Sequence, residues 1–112
     1  MAEESPRPVR ARRTATPDRL VRTISRSGSL AVKAVMASEL ISETLSLRPH
    51  APTAGNALGR AMMGALLIAV GSAADDADES NVESVQLQLR GDGPLGGITT
   101  IADSRARVRG TV

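Results

Sequence analysis

Cysteine, phenylalanine, tyrosine and tryptophan are all absent from this chain of 112 residues. Without cysteine there is no disulfide, no thiolate nucleophile, no Cys-ligated zinc and no thiol to register an oxidant. Without aromatic side chains the core must be built from Leu, Ile, Val, Met and Ala. Such a core forgoes the largest burial contributions and predicts modest stability. Histidine is nearly absent too: His50 is the sole one. It lies between Pro49 and Ala51-Pro52 in what reads as an exposed linker, and no nucleophile or orienting acid is nominated as its catalytic partner. The longest apolar run, Ala61 to Val70, is interrupted by Gly64 and falls short of the roughly 20 residues of a membrane span. The N-terminus has no apolar stretch of the kind a secretory signal requires, and Glu3 and Glu4 count against an organelle transit peptide.

What the chain does have is an ordinary apolar share, 41%, and a formal net charge of +2, both typical of a globular domain. One domain is the most this length accommodates. The charges are uneven. Residues 1–26 carry seven Arg against three acids, and residues 75–83 carry five acids and no cation. Pro6, Pro8 and Pro17 with four Arg and little bulky apolar surface make residues 1–17 a disordered basic arm. The acidic stretch reads as a solvated loop; it lacks the spacing of a calcium loop.

Order is expected from Asp18. Leu20, Arg22 and Ile24 alternate with Val21 and Thr23. Beyond Ser27-Gly28, a candidate two-residue turn, Leu30, Val32, Ala34 and Met36 alternate with Ala31, Lys33 and Val35. Together they predict a β-hairpin. Ser38 is a candidate helix cap with Glu39 in the first turn. Leu40, Thr44 and Leu47 share a face, with Ile41 and Leu45 beside it, and the helix must stop near Arg48 because Pro49 follows. A second helix is expected from near Thr53 to about Ser72, apolar all round from Ala61 as in a helix buried on several sides. Ala57, Ala61, Ala65 and Ala69 form a small-residue ridge on which another backbone can lie closely. Gly55 and Gly59 have helix-dimer spacing, but close packing or local freedom explains them better than a membrane dimer.

Val85, Leu87 and Leu89 alternate with Gln86, Gln88 and Arg90, the cleanest strand pattern in the chain. Gly91-Asp92-Gly93-Pro94 must turn it, with the glycines supplying positive φ. Leu95 to Ala102 returns, and Gly96 and Gly97 near its start predict a bulge or a close backbone approach. After a turn at Asp103-Ser104, Arg105 to Val112 forms a last strand. Arg105, Arg107 and Arg109 share a face there as a basic stripe, a solvated surface by default. The order β-β-α-α-β-β-β defines an α+β fold, a mostly antiparallel sheet packed against two helices. Arg90-Gly91-Asp92 spells a cell-adhesion tripeptide but sits where a turn is needed. The glycines at 91, 93, 96 and 97 lie between strands with no following Lys, unlike a phosphate-binding loop.

The stretch VQLQLRGDGPLGGI, Val85 to Ile98, resembles the signature hairpin of the heat shock protein 33 (33 kDa chaperonin) family. DRLVRTISRSG from Asp18 resembles that family's opening strand, ALGRAMMGALLIA from Ala57 its buried second helix, and ARVRG from Ala106 the strand after the signature hairpin. The resemblance makes Arg90, Gly91, Asp92, Gly93, Pro94, Gly96 and Gly97 the structural signature turn, and residues 18–112 the N-terminal part of the family's core domain. Family members continue further, ending in a zinc domain with a CxC…CxxC pattern, so the chain reads as an incomplete N-terminal domain. The resemblance implies an ATP-independent holdase, not an enzyme, that binds unfolded client proteins under stress in the cytoplasm, a plastid being the alternative compartment. In the family, oxidation of zinc-bound thiolates switches binding on; zinc belongs to the absent domain, so no cofactor is expected in this chain. With a strand edge and an apolar face left open, a homo-oligomer is expected. No membrane partner is expected. The alternative from another class is a basic nucleic-acid-binding protein using the Arg-rich arm and strand; it ranks lower because aromatic stacking groups are wholly absent.

The arm yields a direct test. Under limited trypsin digestion, Arg10, Arg12 and Arg13 are cut well before Arg90, and the trimmed chain keeps its fold. Equal resistance at these sites and at Arg90 would contradict the assignment of residues 1–17.

Overall fold

A computed structural model describes residues 17–72 and 82–112. The expected basic arm, apart from Pro17, and the expected acidic loop lie outside the described residues. The order is β1 (Arg19–Ile24), β2 (Ala31–Met36), α1 (Ser38–Ser46), α2 (Pro52–Ser72), β3 (Ser84–Arg90), β4 (Gly97–Asp103) and β5 (Val108–Thr111). The fold is α+β with every strand pair antiparallel. The strands form two sheets rather than one: the β1–β2 hairpin, and a three-stranded sheet in the order β3-β4-β5.

The long helix α2 is the organising element. Alternation puts Ile98, Thr100 and Ala102 of β4 on one face of the three-stranded sheet, flanked by Val85 and Leu87 on β3 and Val108 and Gly110 on β5. That face meets α2. Leu58, Ala61 and Met62 pack with Ile98 at one end of the contact. Ala65, Leu66 and Ala69 pack with Ala102 at the other, where Val35 joins from β2. The alanine ridge thus lies against the sheet, with Ala57 partly buried at its start. By length and composition the stretch Pro52–Val70 would pass as a membrane span, which the run counted from Ala61 did not register. Half of it is buried inside the fold, against the three-stranded sheet.

Close approach is built in at defined glycines. A Cβ on Gly110 would lie 2.8 Å from Thr100 Cγ2 and 2.9 Å from Leu58 Cδ1. On the helix side, a Cβ on Gly59 would meet Ile41 at 3.1 Å and one on Gly55 would meet Leu45 at 3.3 Å. So Gly55 and Gly59 form a shallow seat for the i, i+4 pair Ile41 and Leu45 of α1, and the role is close packing within the chain. α1 itself has no fully buried residue. Leu47, expected on its inner face, is 80% exposed, because the helix ends at Ser46 and Leu47 sits in the cap position beyond it.

The start of α1 corrects the expected cap. Ala37 occupies the cap position and makes no side-chain capping bond, while Ser38 is the first helical residue. The Asp18 carboxylate does the work instead: Oδ1 accepts the Glu39 amide at 3.0 Å and Oδ2 accepts the Leu40 amide at 2.9 Å. An acid at the positive end of a helix, satisfying two otherwise orphaned donors, is favourable on both counts. At the other end of α2, Arg22 donates to the Val70 carbonyl at 3.5 Å and Lys33 to the Leu67 carbonyl at 3.2 Å. Both cations come from the inner face of the β1–β2 hairpin and complement the negative helix terminus.

All three hairpin turns share one hydrogen-bond pattern. Gly28 donates to the Ser25 carbonyl, Gly96 to the Gly93 carbonyl and Ala106 to the Asp103 carbonyl. In each, the fourth residue has positive φ: 73° at Gly28, 75° at Gly96 and 62° at Ala106. The first turn is wider than the expected two residues, since Ser25 and Leu30 close it with a 2.8 Å bond from the Ser25 amide. Positive φ in the signature hairpin falls at Gly96 and not at Gly91 or Gly93. Ala106 is the exception among the three, holding a left-handed conformation that costs an L-residue with a Cβ about 1–2 kcal/mol.

Two substitutions at these points have opposite signs. Gly110→Ala forces a methyl into Thr100 and Leu58 and destabilises the chain by about 1–3 kcal/mol. Ala106→Gly relieves the left-handed strain and stabilises it by up to about 1 kcal/mol. Urea midpoints of the two variants against the parent chain read both effects.

Candidate functional site

The signature turn is a compact cap on the β3–β4 hairpin. Arg90 closes β3 opposite Gly97. The Gly91 amide donates to the Gly96 carbonyl at 2.8 Å, and the Gly96 amide donates to the Gly93 carbonyl at 3.1 Å. Pro94 therefore takes the second position of the inner turn, where its fixed φ fits and no amide is needed. A Cβ on Gly97 would stand 3.3 Å from the Leu89 carbonyl oxygen, the close backbone approach expected near there. Residues 91–97 are all exposed. The Gly91 and Gly96 amides are engaged within the turn and so are not free to bind a phosphate.

The Asp103–Arg107 turn is the most polar local structure. The Asp103 carboxylate accepts the Arg105 amide at 2.9 Å and the Arg107 amide at 3.1 Å, and takes a 2.7 Å ion pair from Arg107 Nε. Burial by itself pushes the Asp103 carboxyl up. The amide and guanidinium of Arg107, with the Arg105 amide, outweigh it and hold the group below its ordinary value of 3.8. These bonds hold Ala106 in its left-handed conformation. They also dissolve the expected basic stripe. β5 begins at Val108 rather than Arg105, Arg107 folds back on Asp103, and of the three arginines Arg109 alone lies within the strand.

Among the described residues no three of His, Cys, Asp and Glu come together as metal ligands, and the chain holds no cysteine. The thiolate zinc site that the resemblance implies has no ligands in this chain. His50 is partly buried, and its Nδ1 is buried without a hydrogen-bond partner, which corrects the exposed-linker reading.

The surface feature that stands out is apolar. On the β1–β2 hairpin, Leu20 and Val35 turn inward with Arg22 and Lys33, while Arg19, Val21, Thr23, Val32, Ala34 and Met36 occupy the outer face. All six outer residues are exposed, and Ile24 and Leu30 extend the exposed apolar surface at the hairpin tip. Periodicity carried a signal for this that was not used: both phases of the hairpin are apolar, as in a strand pair covered on both sides. Beside it, Asp18, Val35, Met36 and Ala37 border a groove of about 460 Å³ that runs to Ile41 and Met63.

The described residues thus form an antiparallel α+β scaffold with an exposed apolar hairpin face, and comparison with known proteins shows its family. The family model described as Hsp33 protein matches residues 18–112. The chain is 33% identical over 95 residues to the 33 kDa chaperonin of Ruminiclostridium cellulolyticum, covering 85% of this chain and 30% of that one. It is 37% identical over 94 residues to the 33 kDa chaperonin of Thermus thermophilus, covering 84% and 26%. The 33 kDa chaperonin of a Synechococcus species is 35% identical over 96 residues, covering 86% and 28%. The chain belongs to the Hsp33 family. It spans less than a third of the length of these curated relatives. No solved structure matches it.

The Asp103 turn gives a pH test. A carboxyl whose folded value lies below its unfolded one contributes stability above the unfolded value of 3.8, and loses it as pH falls through the folded value. Unfolding midpoints therefore drop on acidification below about pH 4. Asp103→Asn lowers stability at neutral pH and makes that acid-side drop shallower.

Proposed function

We infer that this chain is an ATP-independent holdase: it binds unfolded client proteins, keeps them from aggregating and performs no chemistry on them. Family membership carries the reading. The open apolar face of the β1–β2 hairpin supports it, because exposed contiguous apolar surface marks sites that receive other polypeptides. The absence of a reactive cluster among the described residues fits a binding role. A cytoplasmic location and self-association belong to the same proposal.

Control by thiols has no chemical basis in a chain without cysteine. Client binding is therefore constitutive with respect to thiol reagents. The nucleic-acid alternative draws less support from the fold than from composition: Arg22 is turned onto the α2 carbonyls and Arg107 onto Asp103, and no aromatic side chain is available to stack on a base.

Light scattering of a chemically denatured client diluted into buffer tests the reading. Stoichiometric amounts of the chain suppress aggregation without ATP, and dithiothreitol leaves the suppression unchanged. Suppression that requires ATP, or that appears only after an oxidation reversed by dithiothreitol, overturns it. Sequence-selective nucleic-acid binding that survives physiological salt would favour the alternative, since phosphate contacts alone weaken steeply with salt.

A further inference from the structure

With no cysteine, tryptophan or tyrosine, the side chains open to mild two-electron oxidation are the methionines, four in the sequence. Three lie among the described residues, and the fold treats them very differently. Met62 is fully buried, 0% exposed, against Leu58, Ala61 and Ile98. Its Cγ would stand 3.2 Å from a Cβ on Gly110, so no oxidant reaches its sulfur without opening the core. Met63, next in sequence, is partly buried on the wall of the groove. Met36 is 52% exposed. It ends β2 opposite Arg19, on the same outer face as Val21, Val32 and Ala34, and it borders the grooves on both sides of Asp18 and Ala37.

We propose that Met36 is an oxidative modification site, and that its conversion to the sulfoxide makes the outer face of the β1–β2 hairpin less apolar. The reaction needs an oxidant of the peroxide class and no metal. A lone pair on the thioether sulfur attacks one peroxide oxygen, the O–O bond breaks, and the S–O bond forms. The other oxygen leaves and is protonated to water. Sulfur loses two electrons and the peroxide gains them. The product replaces a flexible apolar side chain with a polar, chiral one, at the open end of the surface contributed by Val21, Val32 and Ala34. Because no thiol takes part, dithiothreitol does not reverse the change; a methionine sulfoxide reductase does. The direction is opposite to a switch that exposes apolar surface under oxidant: here peroxide diminishes it.

The test does not depend on client binding. The whole chain is treated with hydrogen peroxide in native buffer, quenched, digested with trypsin and sequenced by mass spectrometry. Since Arg48 precedes Pro49, Met36 falls in the fragment 34–60, and Met62 and Met63 fall in 61–90. Met36 takes up one oxygen first, roughly tenfold or more ahead of Met62, which reacts only when the core opens. Binding of the dye bis-ANS falls in step with Met36 oxidation and recovers with a methionine sulfoxide reductase. The Met36→Leu variant, a volume-conserving change at an exposed position, shows no peroxide-driven fall relative to its own untreated dye signal. Oxidation of Met62 or Met63 as fast as Met36 in native buffer overturns the site assignment. A peroxide-driven loss of dye binding that persists in Met36→Leu overturns its effect on the apolar face.

Discussion

Between Leu58 and Met62 on α2 and Gly110 on β5 there is no room for a methyl group, and the packing of the described core depends on that closeness. A core without aromatic rings has no large flat groups to bridge a gap between helix and sheet. It gains cohesion by bringing backbones together and letting many small contacts add up. The alanines at 61, 65 and 69 serve this on the helix side and Gly110 on the sheet side. Thr100, fully buried between Leu87 and Gly110, has a hydroxyl without a partner among the described residues. Its methyl is the part that packs, against Gly110.

The β1–β2 hairpin is tied to this core from one side only. Leu20 and Val35 supply apolar contact, while Arg22 and Lys33 reach the α2 carbonyls. The outer face carries Val21, Val32, Ala34 and Met36 beside Arg19 and Thr23, and nothing among the described residues covers it. Such a distribution is the reverse of a solvated two-stranded ribbon, in which water-facing positions are polar. The chain spans less than a third of the length of the curated relatives it matches. Val21, Ile24, Leu30, Val32 and Met36 are the exposed large apolar residues that the hairpin presents to whatever meets it.

How legible this was from the residues varied with the distance over which the deciding interaction acts. The order of elements, both helices and the β3–β4 hairpin followed from periodicity and from punctuation by proline and glycine, because those signals lie within a few residues of the structure they set. The small-residue ridge on α2 was visible for the same reason. The cap of α1 was not: Ser38 is the right residue type at the right place by local rules, yet Asp18, twenty residues earlier, out-competes it. Leu47 followed the helical face and then fell one residue past the helix end. In the signature turn, four glycines between Arg90 and Ile98 made a turn certain but left the positive φ free to settle on any of them; the hydrogen bond from Gly96 to Gly93 placed it. The left-handed Ala106 gave no signal in its own side chain, since the carboxylate of Asp103 imposes it from three residues away. The outer hairpin face was written in the second phase of the alternation, which periodicity reports equally for a buried strand and for an unoccupied binding surface.

Asp18 joins the first residue before β1 to the first turn of α1 and so closes the chain between them into a ring of non-covalent bonds. α1 is short, lacks a local cap and buries no residue fully, so beyond the packing of Leu40 and Ile41 the carboxylate is what holds its first turn. Its persistence is therefore borrowed from the hairpin. If β1 frays from β2, the carboxylate departs with it and the amides of Glu39 and Leu40 lose their acceptor together. The hairpin and α1 then behave as one cooperative opening unit rather than as three separate elements, and the seat at Gly55 and Gly59 empties in the same event. The hinge of that unit is the Pro49–Ala51 linker, and α2 with the three-stranded sheet stays behind as the body it opens from.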